Sequence, residues 1–509
     1  MLSEIMSNFV SINHITIMKH EKNKTASTRQ ACIKAPEFIN WRKDSPLFHH
    51  SDTLSMPPAN LWPAGLREPI MTAPPAYQFA TAVVSVLSLC VYAPRLRMKY
   101  CYDLVPHAAL LQALVIAEQS GNKTKLAGII KMLMSKTSQR DKEQLWIEQD
   151  YEEESRRHPD DAPPRPRITK IKLSPVISRT ELLKRVNDID RKYGDTLTHL
   201  FFTDEIALAI DSNKRDFSNN RVVFRQGYDY GSTTDQDYLT SLSADVDVRV
   251  VLMFFGTPES MKRYMTRAEI EAGSMTRTIV VHVPDEDDAP EFRLMTPAEQ
   301  QSVDHVLDTL LSRTFVKVQT ENGEEERLGP EEFIDLSWLE KDIRRWCDQR
   351  KEEYHKTGSR ALRVCYRRSS VSAFRFTGLV AYLYMLDENR PANWQKLCRK
   401  IYLYMANYIL DAMLAEYGAT YEAIKAEAEN DKNAVQPSLY DSCPDEFSYD
   451  YIDQLVAERG GTKRTTEFLS TWKKKGWVVI SVEDGVKMVS KTEKGKTIRG
   501  ARNKKGGTA

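Results

Sequence analysis

The sequence lacks a cysteine framework. Its seven cysteines are odd in number and scattered, with no C-x-x-C pair, which excludes a disulfide scaffold and a zinc cluster and fits a reduced, cytoplasmic setting. It lacks net charge: 72 Lys+Arg stand against 71 Asp+Glu, so composition alone does not mark a nucleic-acid binder. The amino terminus carries Glu4 and no apolar core of signal-peptide type. It also lacks the ~20 strongly apolar residues of a membrane span. The nearest stretch, Ala76 to Ala93, is uncharged but contains Gln78, Thr81, Ser85 and Ser88, and reads as a buried helix, so no membrane partner is expected. A complete G-x-x-x-x-G-K-[ST] loop is absent too. At 509 residues there is length for about three domains.

What is present starts at Leu110. Leu110-Leu111-Gln112-Ala113-Leu114-Val115-Ile116-Ala117 is an apolar run that breaks at Gln119-Ser120-Gly121-Asn122 and continues through Lys123-Thr124 into Leu126, Ile129, Ile130 and Leu133 at helical spacing. Strand, loop and helix in this order describe a phosphate-binding loop. Backbone N–H groups and a helix N-terminus face a polyphosphate, the Lys reaches its outer phosphates, and the Ser/Thr holds Mg²⁺. Ala117 and Asn122 stand where that pattern has glycines, so only Lys123-Thr124 matches it in full.

Four further apolar runs follow, ending at Ile177, Glu205, Phe255 and Val283. Together with the first they predict five strands of a largely parallel sheet covered on both faces, an α/β core. Residues 1–60 read as weakly ordered and 61–295 as the core. A charged helix extension and flexible linker are expected at 147–170, where Glu152-Glu153-Glu154 precede several prolines. Residues 296–430 read as α-helical, with hardly a strand. At 445–490 two helices precede a hairpin around Glu483-Asp484-Gly485, the outline of a winged helix-turn-helix. Residues 491–509 form a basic tail.

Each candidate site residue has a bland alternative. Asp204 and Glu205 end a strand and could hold Mg²⁺ and orient the attacking water, although strands often end in polar residues. Their strand is expected to neighbour that of Lys123, both ends facing one crevice. Thr257, after Gly256, could sense the outer phosphate or simply make a turn with Pro258. Arg277, with Arg263 as competitor, could act on a neighbouring subunit's site or be a solvated helix-end arginine. Arg360, Arg363, Arg367, Arg368 and Arg375 could reach nucleotide, follow a nucleic-acid backbone, or pair with the acidic helix at 330–353. Lys463, Arg464, Lys473, Lys474 and Lys475 cluster at the second helix of the terminal unit and could neutralise DNA phosphates, while many such units bind protein instead.

The chain resembles a family of bacterial mobile-element and prophage P-loop ATPases of unknown function, related to primase-helicases and virulence-associated E proteins. The likeness is carried in order by Glu118 to Thr124, Phe202-Thr203-Asp204-Glu205, Arg225-Gln226-Gly227-Tyr228-Asp229-Tyr230, Phe255-Gly256-Thr257-Pro258, Gly273 to Arg277 and Trp472-Lys473-Lys474-Lys475-Gly476. It implies an additional-strand P-loop NTPase (AAA+/helicase-like) that binds ATP and Mg²⁺ and works on DNA as a homo-oligomeric ring, for example a hexamer, beside a replication partner such as a primase. In that reading Lys123, Glu205 and Arg277 are catalytic, Gln119 to Thr124 and Thr257 contact nucleotide, and Thr124 with Asp204 holds Mg²⁺. The alternative is a degenerate pseudo-ATPase serving as a DNA or replisome adaptor. A weaker third reading is a structural partner without nucleotide.

Overall fold

The structure is a computed structural model in which residues 56–118, 123–161, 163–213, 220–229, 233–237, 243–283, 291–321, 323–433, 439–458, 465–483 and 486–494 are described. The chain divides into two compact units, Met1–Lys425 and Ala426–Ala509.

In the first unit the described strands are β1 (Leu96–Met98), β2 (Gln112–Ile116), β3 (Lys172–Leu173), β4 (Thr198–Thr203), β5 (Thr233–Asp237), β6 (Ser243–Asp247), β7 (Arg249–Gly256), β8 (Thr278–His282), β9 (Phe315–Thr320), β10 (Gly323–Leu328) and β11 (Glu332–Ile334). The central sheet has the order β3-β4-β7-β2-β8, and all its pairings are parallel. Every residue of β2, β4 and β7 is buried, which is why these strands read as unbroken apolar runs rather than alternating ones. All five expected strands are there. One relation differs: the strand before Lys123 and the strand before Asp204 are not neighbours, because β7 lies between them.

Helix Gln78–Cys90 is buried along most of its length, as its uncharged sequence predicts. No described helix is long and apolar enough to cross a membrane. The helical pattern after Lys123 divides at Met134 into Lys123–Leu133 and Ser135–Arg157. The segment expected as a flexible linker is held down from Arg165 onward. Arg165 pairs with Asp188 at 2.8 Å, Arg140 Nη1 donates to Thr169 O at 2.6 Å, and the Asp141 carboxylate accepts from the Ile171 and Lys172 N–H groups at 2.7 Å each. Asp141 lies on the inward face of an otherwise exposed helix, so charge density alone misrepresents this region.

Beyond Pro297 the helices Pro297–Thr314, Glu340–Thr357, Arg360–Leu386, Trp394–Met413 and Ala419–Asn433 follow. The expectation of hardly any strand here is corrected. β9 and β10 form an antiparallel pair, and β11 pairs in parallel with β1. The sequence carried the signal: Val316-Lys317-Val318-Gln319 alternates, and Asn322-Gly323 is a strong hairpin dipeptide. Helix Arg360–Leu386 runs against β1 at Gly378, where a Cβ would stand 2.0 Å from Met98 Sδ; only glycine permits that approach.

The second unit holds helices Tyr449–Glu458 and Thr465–Lys474 and an antiparallel sheet of order β12-β14-β13, formed by β12 (Glu446–Ser448), β13 (Val478–Glu483) and β14 (Val486–Lys491). Its own core includes Tyr440, Phe447, Ile452, Leu469, Trp472, Val478 and Val489. The two helices and the hairpin follow the expected order; β12 is an addition.

Candidate active site at the carboxyl ends of the central strands

Three backbone hydrogen bonds align the carboxyl ends of four strands. Val283 N–H donates to Ile116 O at 2.8 Å, Ala117 N–H to Gly256 O at 3.0 Å, and Ile206 N–H to Phe255 O at 2.8 Å. The register puts Ile116 opposite both Gly256 and His282, and Thr203 opposite Phe254. Residues that follow β2, β7 and β4 therefore emerge along one edge. Adjacent strands lie about 4.8 Å apart, so the exits of β2 and β4 are separated by about 10 Å. An open parallel sheet forms its crevice at such an edge.

Lys123 begins helix Lys123–Leu133. Its Nζ lies 3.5 Å from Ala117 O, so the side chain folds back toward the end of β2. Thr124 is exposed. Gln119, Ser120, Gly121 and Asn122 lie outside the described residues.

Asp204 and Glu205 are exposed where β4 ends. Thr203 fixes their backbone: its hydroxyl accepts from Glu205 N–H at 3.1 Å and donates to Glu205 O at 2.8 Å. Among the described residues neither carboxylate has an ion-pair or hydrogen-bond partner, and both remain open to a ligand. Their oxygens suit a hard cation, which also takes water and phosphate oxygens. Groups of three or more His, Cys, Asp and Glu able to hold a metal are absent among the described residues.

Thr257 sits between these exits and caps helix Pro258–Tyr264. Its hydroxyl accepts from Ser260 N–H at 3.3 Å and reaches Ser260 Oγ at 3.2 Å. Gly256, just before it, has no room for a side chain: a Cβ would lie 2.5 Å from Ser260 Oγ and 2.6 Å from Ile206 Cγ2. The glycine lets the Thr257 turn and the Asp204 turn pack together.

Arg277 is elsewhere. It precedes β8, at the amino edge of the sheet, and its Nη2 binds Asp229 Oδ2 at 2.9 Å while Nη1 donates to Gly273 O at 3.1 Å. Arg263 ends helix Pro258–Tyr264 and is exposed. The helical arginines do not form one surface stripe. Arg368 binds Asp229, Arg363 lies over the Tyr354 ring, Arg367 Nε donates to the Tyr366 hydroxyl at 3.0 Å, and Arg375 is buried. Sequence reasoning missed Asp103 and His107, whose i,i+4 spacing was the available signal, and the bridging role of Asp229.

In the second unit Lys473, Lys474 and Lys475 are exposed at the end of helix Thr465–Lys474, where cations also favour the helix dipole. Lys475 Nζ stands 4.6 Å from the Trp477 ring centroid. Lys463 and Arg464 lie outside the described residues. No protein-family model matches this chain, and neither does any curated protein.

Proposed function

We propose that the protein is a helicase-like P-loop ATPase of the additional-strand kind, acting on DNA in the replication or mobilisation of a mobile genetic element. The observation that carries this reading is the arrangement of Lys123, Thr257, Asp204 and Glu205 after three adjacent parallel strands, with β7 inserted between the lysine strand and the acid strand. In this reading Lys123 binds the outer phosphates, and Thr124 and Asp204 hold Mg²⁺, which supplies charge neutralisation on the phosphate oxygens. Glu205 orients the attacking water, and Thr257 lies between them within reach of the outer phosphate. Arg277, at the opposite edge, would have to leave Asp229 and Gly273 O to serve the site of the next subunit in a ring such as a hexamer. The terminal unit is read as a winged helix that meets DNA through Lys473, Lys474 and Lys475, with Lys463 and Arg464 as sequence candidates. A primase is the replication partner this implies.

A second reading rests on Ala117 and Asn122: a pseudo-ATPase that holds nucleotide without turnover and acts as a DNA or replisome adaptor. Asn tolerates the left-handed backbone better than other non-glycine residues, which favours a loop that still folds. ATP hydrolysis with and without single-stranded DNA separates the readings. Turnover that disappears in Lys123→Ala supports the enzyme, and nucleotide binding without turnover supports the adaptor.

A further inference from the structure

A cavity of about 790 Å³ opens between the Tyr100–His107 segment and the helices Glu340–Thr357 and Arg360–Leu386. It lies beyond the amino edge of the sheet. Arg375, which lines it, donates to the carbonyl of Leu110 just before β2, whereas Lys123 follows the other end of β2. That strand has five residues and spans about 16 Å, so the cavity and the Asp204 edge are separate places.

Arg375 is only 1% exposed. Its Nε donates to His107 Nδ1 at 3.1 Å, and its Nη1 to Leu110 O at 3.1 Å and Tyr228 O at 2.5 Å. Nη2 has no hydrogen-bond partner among the described residues, and no carboxylate there pairs with this guanidinium. The adjacent acids are engaged elsewhere. Asp229 is held by Arg277 and Arg368. Asp103 accepts from His107 Nε2 at 2.7 Å. Burial, reinforced by the charge of Arg375, pushes the His107 pKa down to about 4, so the imidazole is neutral at pH 7 and adds no second positive charge beside the guanidinium. Neutral acceptors and the Tyr228 ring, 4.4 Å from Arg375 Cζ, satisfy some donors, while Asp229 and Asp103 act on the guanidinium without pairing directly with it, which leaves a buried cation only partly compensated.

The remaining lining says what kind of anion. Arg367 and Lys351 add positive charge, Arg368 is already paired with Asp229, Asp348 adds one negative charge, and Tyr100, Tyr102 and Tyr366 add aromatic surface. Tyr102 is 48% exposed at the mouth. The volume is that of a small-molecule site, in which a few polar groups orient a ligand against apolar walls. We propose that this cavity binds a phosphate monoester carrying a planar ring, a ligand of nucleoside monophosphate size, with the phosphate at Arg375 and the ring against the tyrosines.

The test is calorimetric titration of the full-length Lys123→Ala protein with adenosine 5′-monophosphate, adenosine and inorganic phosphate. The expected result is one-to-one binding of the monophosphate, with adenosine and phosphate each weaker by about tenfold or more. Arg375→Gln removes binding. Because that residue is buried, Tyr102→Ala and Lys351→Ala at the cavity mouth serve as folded controls, each weakening the monophosphate severalfold. Absence of binding, binding indifferent to the two mouth variants, or phosphate binding as tightly as the monophosphate overturns the proposal. Binding seen in the parent protein but lost in Lys123→Ala also overturns it, and leaves the ATPase reading standing.

Discussion

Arg277 and Arg368 hold opposite oxygens of one carboxylate, that of Asp229: Oδ2 accepts from Arg277 Nη2 at 2.9 Å and Oδ1 accepts from Arg368 Nη1. A residue before a sheet strand is thereby tied to the long helix Arg360–Leu386. Burial by itself would raise the Asp229 pKa, but Arg368 and then Arg277 outweigh it and hold the carboxyl below its ordinary value.

Asp229→Asn is expected to destabilise the protein by about 2 kcal/mol at pH 7, since it removes charge-assisted hydrogen bonds. The depressed pKa means that the stabilisation is present above the ordinary carboxylate pKa, about 3.9, and is lost as pH falls through the lower folded value. Urea unfolding of both proteins from pH 7 down to pH 3 checks this: the gap between them should narrow only in the acid range.

Two buried histidines set a second pH dependence. Burial pushes His199 to about 4, and burial with Arg375 does the same to His107. Both values lie below the ordinary 6.5 or so, so the unfolded chain binds protons more tightly, and stability is complete above that pH and declines as pH falls toward 4. His199→Leu should flatten the decline in the unfolding midpoint between pH 7 and pH 5. An unchanged slope would show that His199 is not charged on unfolding.

The five-stranded sheet was legible because parallel strands buried on both faces leave unbroken apolar runs, as at Val250–Phe255. The buried helix was legible from the absence of charge at Ala76–Ala93. Strand adjacency was not, since nothing in either run says that β7 separates them; it follows from packing among β2, β4 and β7. The β9–β10 hairpin was obscured by Glu324-Glu325-Glu326, whose charge reads as helical although the alternation and Asn322-Gly323 point to a turn. Of the candidate site, the residues that end strands were readable. Asp229 was not, because Arg277 and Arg368 are remote in sequence, and for His107 only the i,i+4 spacing to Asp103 was readable, its other partner Arg375 being remote.

Gly256→Ala should destabilise the protein by about 1–3 kcal/mol through overpacking, because its Cβ would meet Ser260 Oγ and Ile206 Cγ2. On the proposed reading it also shifts Thr257 and weakens nucleotide binding. Denaturant unfolding beside nucleotide titration measures both effects, and full stability in the variant would contradict the packing described.

On the proposed reading, replacing Lys473, Lys474 and Lys475 together by Ala weakens DNA binding with little sequence dependence and reduces the slope of log affinity against log salt by about three. Circular dichroism should show the unit still folded, since all three side chains are exposed. An unchanged salt slope would show that these lysines do not contact DNA and favour a protein partner for this unit.

On the proposed function, the Lys123 and Glu205 edge hydrolyses ATP. The measurement is steady-state ATP hydrolysis with saturating single-stranded DNA for the parent protein, Lys123→Ala and Glu205→Gln. The expected outcome is DNA-stimulated turnover in the parent, background rates in both variants, and a nucleotide-dependent rise in melting temperature that Glu205→Gln keeps and Lys123→Ala loses. Turnover that survives both substitutions, or a parent protein with neither turnover nor a nucleotide-dependent melting shift, would contradict it.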